Sequence, residues 1–101
     1  MADVSYRAEV LSKLRDWGRV AVRVGMRDEF LAAVREMEDR LQAAPESWGD
    51  PVRTHRGLKL TEYQRYGPIF IVVYHVYAGG NPVFAWDVRL TPNSLLADLL
   101  D

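Results

Sequence analysis

The residues best able to do chemistry are the basic and aromatic side chains of the strands predicted in the second half of the chain. If the alternating apolar residues of these strands, such as Leu60 and Trp86, face a helical layer, their polar neighbours face the other way. That opposite face presents the following residues, joined by either Tyr74 or His75 from the central strand: Lys59, Tyr63, Arg65, Asp87 and Arg89. Arginines hold phosphates, and tyrosine or histidine stacks on exposed bases, so such a face suits RNA. The alternative is a face that is solvated or covered by another chain.

A second group of cations lies between the two halves of the chain, where Arg53, Arg56 and Lys59 occur with no acidic residue among them. With Tyr63, these residues form a candidate substrate-binding set that would hold a phosphate or the acidic part of a partner. A solvated charge run is the alternative. His55 and His75 can each act as a general base near neutral pH, but neither has a carboxylate or nucleophile beside it in sequence, and a lone histidine is usually structural.

Several classes of site are excluded or disfavoured by what the chain lacks. It contains no cysteine, which excludes disulfides, thiol catalysis and thiolate metal sites. Two histidines twenty positions apart make a poor metal set, and we expect neither a metal nor a cofactor. The sequence carries no P-loop, dinucleotide fingerprint or hydrolase triad motif.

Length and composition indicate one domain over residues 1–101, with a core over about 4–92 and a short tail over 93–101. Apolar residues make up 49% of the chain, as in globular proteins. No apolar run approaches the roughly 18 residues of a membrane span, and the polar start lacks the apolar core of a signal peptide, so we expect a cytoplasmic protein without a membrane partner. The net charge is −1, but residues 51–97 carry five Lys or Arg against two Asp or Glu, so any anion-binding surface belongs to the second half.

Hydrophobic periodicity predicts an α+β domain. We expect a strand over 4–10, helices over about 13–24 and 27–44, a loop over 45–57, and strands over 58–66, 69–77 and 83–90. Residues 19–24 read RVAVRV and also fit a strand, which leaves the first helix open to that alternative. The helices form a hairpin that covers one face of a small, mostly antiparallel sheet, and the core is expected to combine four residues: Phe30, Val34, Val73 and Trp86.

This order of strand, two helices, loop and three-strand meander resembles the RelE/ParE toxin superfamily over about residues 4–92. Three short segments carry the resemblance. They are Leu41-Gln-Ala-Ala-Pro45 at the end of the second helix, the Gly49-Asp-Pro51 step in the loop, and Ile71-Val-Val-Tyr74 in the central strand.

The resemblance implies a toxin-like component of a type II toxin–antitoxin system in a bacterium, acting as a ribosome-dependent mRNA endonuclease or as a protein-binding growth inhibitor. It implies an antitoxin with an acidic segment as partner. In the nuclease case Arg65 and Arg89 would stabilise the phosphate charge, with Tyr74 or His75 positioning the substrate. Active relatives usually have an arginine where this chain has Ile71, and a tyrosine or histidine near the C-terminus, where residues 91–96 have neither. The alternative is a non-catalytic interaction domain that keeps this fold.

Overall fold

The computed structural model describes residues 2–100 and shows an α+β fold. The strands are β1 (Val4–Tyr6), β2 (Asp50–His55), β3 (Leu60–Tyr66), β4 (Phe70–Tyr77) and β5 (Val83–Leu90). The helices are α1 (Ala8–Arg23), α2 (Arg27–Ala43), α3 (Pro45–Trp48) and α4 (Leu95–Leu100), with a 3-10 turn at Arg56–Leu58. The sheet has the order β1-β5-β4-β3-β2, in which β1 is parallel to β5 and all other neighbours are antiparallel. None of the helices within residues 2–100 is long and apolar enough to cross a membrane.

The helix hairpin packs on one face of the sheet, as predicted. α1 buries an apolar stripe that includes Leu14 and Ala21, and α2 buries Phe30. Phe30 meets Phe70 of β4 edge to face, with ring centroids 6.0 Å apart. The α1–α2 link turns at Gly25, which has a φ of +78°. Glycine adopts this left-handed conformation without steric cost, so the two helices can run back against each other.

Residues 19–23 are helical, so the strand alternative for RVAVRV is wrong. The reason is tertiary packing: Ala21 is fully buried against the core, one helical turn beyond Trp17. Gly18 lies on the same helix beside the Phe30 ring, at a distance where an added Cβ would make van der Waals contact at 3.4 Å. The predicted strand over 4–10 was too long, because α1 begins at Ala8 and its stripe includes the buried Val10.

The segment predicted as a loop over 45–57 contains α3 and the edge strand β2. β2 was missed because it has no buried residue and therefore no apolar alternation. Its Pro51 fits an edge strand, where one side of the backbone needs no partner, and the ladder with β3 is irregular between Pro51 and Arg53.

A β-bulge in β5 decides which side chains reach each face. Tyr74 pairs with Ala85 and Val73 pairs with Asp87, so Trp86 is an extra residue in the ladder. Ala85 and Val88 are both fully buried on the helix side, although alternation cannot place both there without the bulge. Trp86 is 43% exposed instead.

The predicted core is therefore half right. Phe30 is buried, and Val34 packs against the core. Val73 and Trp86 are not part of it. Val73 lies between Val72 and Tyr74, both core residues, and so points to the other face of the sheet.

Candidate functional site

The face of the sheet turned away from α1 and α2, here called the open face, carries one row of side chains that crosses all five strands. Register pairs place these residues in line, from β1 to β2, and we call them the cross-strand row: Ser5, Phe84, His75, Glu62 and Arg53. Side chains along each strand point alternately to the two faces of the sheet. In β4, for example, His75 lies between Tyr74 and Val76, which are buried on the helix side. The row therefore brings polar and aromatic groups from distant parts of the chain to one surface.

Trp86 stands beside the row and forms a layered stack. Its ring lies 5.3 Å from that of His75 at an interplanar angle of 21°, and the guanidinium carbon of Arg7 lies 4.6 Å from the Trp86 ring. The Phe84 ring is 5.9 Å away. Aromatic rings backed by arginine are platforms on which nucleobases stack. An unpaired base that stacks on the Trp86 ring therefore takes the place of the Arg7 guanidinium.

Glu62 links the two halves of the row. Its Oε1 lies 3.4 Å from Nε2 of His75, and its Oε2 lies 3.9 Å from Nε of Arg53. Nε2 of His75 is shielded from solvent and has no well-aligned hydrogen-bond partner within residues 2–100. The His55 ring lies 6.4 Å from the His75 ring. Two imidazoles and a carboxylate thus lie together on the open face.

Arg89 adds a cation to the open face, because it pairs in register with Ile71. Asp87 contributes little free negative charge, because Nζ of Lys13 lies 2.9 Å from its Oδ1 and also donates to the carbonyl of Val88. Within residues 2–100, Arg89 forms no ion pair. Its guanidinium is therefore free to contact an anion.

Arg65 lies on the other face, which corrects the expectation that it acts together with Arg89. Arg65 pairs with Val72, a core residue, and it donates to the carbonyl of Trp48 at 3.3 Å. Its guanidinium carbon lies 5.7 Å from the Trp48 ring. Arg65 thus holds the segment around α3 against the helix-covered face.

Tyr74 is also absent from the open face, so of the two alternatives the structure places His75 there. The Tyr74 side chain is fully buried, and its hydroxyl donates to the Pro45 carbonyl at 2.6 Å and accepts from the Gly49 N–H at 2.9 Å. Burial raises the pKa of Tyr74 to about 12. These two hydrogen bonds attach both ends of α3 to β4 of the sheet.

The predicted substrate-binding residues separate into two groups. Arg53 belongs to the cross-strand row, whereas Tyr63 stacks on Tyr74 at 5.3 Å on the helix side. Lys59 follows the 3-10 turn with a φ of +55° and lines, with Tyr63, a cleft of about 280 Å³ on the helix side. Arg56 is exposed in the turn itself. Burial is also the larger cause of the raised pKa of Tyr63, with Glu46 second.

Glu62, Trp86 and Arg7 are open-face residues that sequence reasoning missed. Trp86 was missed because strict alternation along β5, without the bulge, places Trp86 on the same face as Val88, which is the helix side. Glu62 was also missed, because the alternation assumed for β3 placed Tyr63 and Arg65 on the open face and therefore Glu62 on the helix side. One signal for Glu62 existed, since it is one of two acids within residues 51–97.

Comparison with known proteins gave no match. No protein-family model matches the sequence, and no curated protein or solved structure is significantly similar to it.

Proposed function

We propose that this chain is the toxin-like component of a bacterial type II toxin–antitoxin pair of the RelE/ParE kind, and that its open face binds single-stranded RNA in the cytoplasm. The observation that carries the proposal is the cross-strand row with the adjoining Arg7–Trp86–His75 stack. A sheet face with the partly exposed Trp86 ring and with Arg89 outside any ion pair within residues 2–100 matches the two needs of an RNA surface, which are base stacking and phosphate contact.

The same face supports cleavage of messenger RNA on the ribosome. RNA cleavage without a metal needs a group that takes the proton of the attacking 2′-hydroxyl, a group that protonates the leaving 5′-oxygen, and a cation beside the phosphate. His55 and Glu62 are the proton-transfer groups in this proposal, and Arg53, which pairs with Glu62 in register, supplies the charge beside the phosphate. Arg89 lies three strands away from Arg53 and contacts the RNA backbone at another point of the open face. His75 is a positioning residue, because its Nε2 is shielded from solvent and faces Glu62.

The partner implied by this function is an antitoxin with an acidic segment. Lys59, Arg65 and Arg89 do not share one surface, so a single segment on the open face cannot bind all three. The proposal instead places it on the open face, where Arg53 and Arg89 are exposed. Charge attraction between exposed groups makes such binding fast and sensitive to salt.

Induced expression followed by primer extension on cellular messenger RNA tests this function. The wild-type chain is expected to stop growth and to produce phased cuts, and Arg89→Ala is expected to reduce both. Arg40→Ala is the matched control, because Arg40 is exposed on α2 away from the sheet. Growth arrest without cuts would indicate a protein-binding inhibitor, and growth unaffected by the wild-type chain would contradict the toxin assignment.

A non-catalytic interaction domain is the second candidate. The separation of Arg65 from Arg89 favours it, because the pair of arginines expected to replace the family's phosphate-binding arginine does not assemble. For such a domain, we expect binding of an acidic protein segment without RNA cleavage. Normal growth on induced expression, with a protein partner that stays bound in a pull-down after ribonuclease treatment, would indicate this second candidate, whereas growth arrest would favour the toxin.

A further inference from the structure

An apolar groove runs between α1 and α2, on the helix side of the molecule. It has a volume of about 500 Å³, and every residue that lines it lies between Leu11 and Val34. Its floor includes the ring of Phe30 and the bare Cα of Gly18, and its walls include Leu11 and Val22, which are 54% and 59% exposed. Apolar walls exposed to this degree indicate a surface that another element covers.

The same chain carries an apolar element of matching chemistry. α4 is anchored by Leu96, which is fully buried in the core, but Leu95 and Leu99 are 59% and 49% exposed. These two leucines are four residues apart and therefore share one side of the helix. Asp98 is the only charged residue in α4.

Charge complements the apolar fit. Arg15 and Arg19 stand on the rim of the groove, and both are exposed. An acidic, leucine-bearing helix laid along the groove would bring Asp98 close to these guanidinium groups. The buried Leu96 holds α4 in place with its leucine stripe turned to solvent, so the helix that fills the groove must come from another molecule.

We propose that two copies of this chain form a two-fold dimer in which α4 of each copy fills the α1–α2 groove of the other. Such an exchange makes two identical contacts and leaves no unfilled groove, so it closes at the dimer. It leaves the cross-strand row uncovered, because no strand residue lines the groove. The proposal is independent of what the open face binds.

Sedimentation equilibrium over a wide concentration range tests the dimer. The wild-type chain is expected to approach the mass of a dimer, whereas Leu99→Glu in the helix and Val22→Glu in the groove are each expected to stay monomeric. Leu58→Glu is the control, because Leu58 is 66% exposed in the 3-10 turn and lines no part of the groove. Circular dichroism checks that each variant is folded.

Mixing the two monomeric variants gives the sharpest result. The Leu99→Glu chain keeps a working groove and the Val22→Glu chain keeps a working α4, so the mixture is expected to form a heterodimer with one intact contact. Failure of the mixture to associate would overturn the exchange, as would dimerisation of either variant alone. A wild-type chain that stays monomeric throughout would assign the groove to a different protein and would also overturn the proposal.

Discussion

Arg65 and Arg89 stand opposite consecutive residues of β4, Val72 and Ile71, and so they point to opposite faces of the same sheet. Arg65 contacts Trp48 on the helix side, whereas Arg89 stands on the open face. Strict alternation predicted that these two arginines share one face, but in the structure they lie on opposite faces, separated by the thickness of the sheet. This separation gives a direct way to test which face binds RNA.

Arg89→Ala is expected to weaken binding of single-stranded RNA and to flatten its salt dependence. Loss of one phosphate contact lowers the slope of log K against log salt by about 0.7 for a single strand. Arg65→Ala is the matched control, since it removes the same side chain from the other face, and its slope is expected to equal that of the wild type. Fluorescence anisotropy at several salt concentrations measures both, and equal slopes for all three chains would exclude Arg89 from the RNA contact.

Trp86→Ala is expected to affect binding more than folding. The ring is partly exposed on the open face, so its loss costs the stacking with His75 and Arg7, about 1–2 kcal/mol of unfolding free energy. Phe30→Ala is the comparison, because Phe30 is 4% exposed in the core and its truncation costs about 3–5 kcal/mol. Urea denaturation measures both variants, and the predicted order would be wrong if Trp86→Ala proved the more damaging.

The fold class could be predicted from the sequence, because buried apolar residues recur with the period of their helix or strand and so leave a trace in the sequence. The stripes of α1 and α2 and the apolar run of β4 are such traces. β2 left none, since an exposed edge strand is held by backbone hydrogen bonds and by no apolar side chain. Its existence depends on the partner strand β3, which no local pattern reveals.

The candidate site was harder to predict, because one inserted residue reverses the direction of every side chain beyond it. Without the bulge, Trp86 follows Val88 into the core. Arg89 was placed correctly on the open face, and His75 was one of the two alternatives for β4, whereas Lys59, Tyr63 and Arg65 were placed on the wrong face. The bulge arises from pairing between strands, so it is a property of the sheet and not of any short segment.

Gly49→Ala is expected to destabilise the protein by about 1–3 kcal/mol, since the added methyl group has no room. A Cβ there would lie 2.8 Å from the Tyr74 hydroxyl oxygen and 3.0 Å from the Gln64 carbonyl oxygen. Gly57→Ala is the control, because nothing lies within 4 Å of the corresponding position. Thermal unfolding of the two variants is the measurement, and equal melting temperatures would contradict the close contact at Gly49.

Tyr74→Phe is expected to cost about 1–3 kcal/mol, because it leaves the Pro45 carbonyl and the Gly49 N–H without their partner. Tyr66→Phe serves as control, since Tyr66 is 64% exposed. Urea midpoints at neutral pH compare the two. A cost for Tyr66→Phe equal to that for Tyr74→Phe would show that the buried hydroxyl has no special role.

Alkaline pH is expected to lower the free energy of unfolding through ionisation of the Tyr74 hydroxyl. Burial raises the pKa of Tyr74 from 10.0 to about 12, so the native state holds its proton more tightly than the unfolded chain does. The resulting stability is complete below pH 10 and is lost as pH rises toward about 12. Tyr6 contributes in the same direction, since burial and then Glu38 raise its pKa to about 12. Urea midpoints that stay constant across this range would contradict the prediction.

An NMR titration of the labelled chain with single-stranded RNA shows directly whether the open face is the RNA-binding surface. We expect side-chain shifts concentrated on His75, Glu62, Arg89 and the Trp86 indole, with the side-chain signals of Tyr63 and Arg65 unchanged. Shifts confined to the helix side, or no shifts at an RNA concentration that saturates wild-type binding by anisotropy, would contradict it.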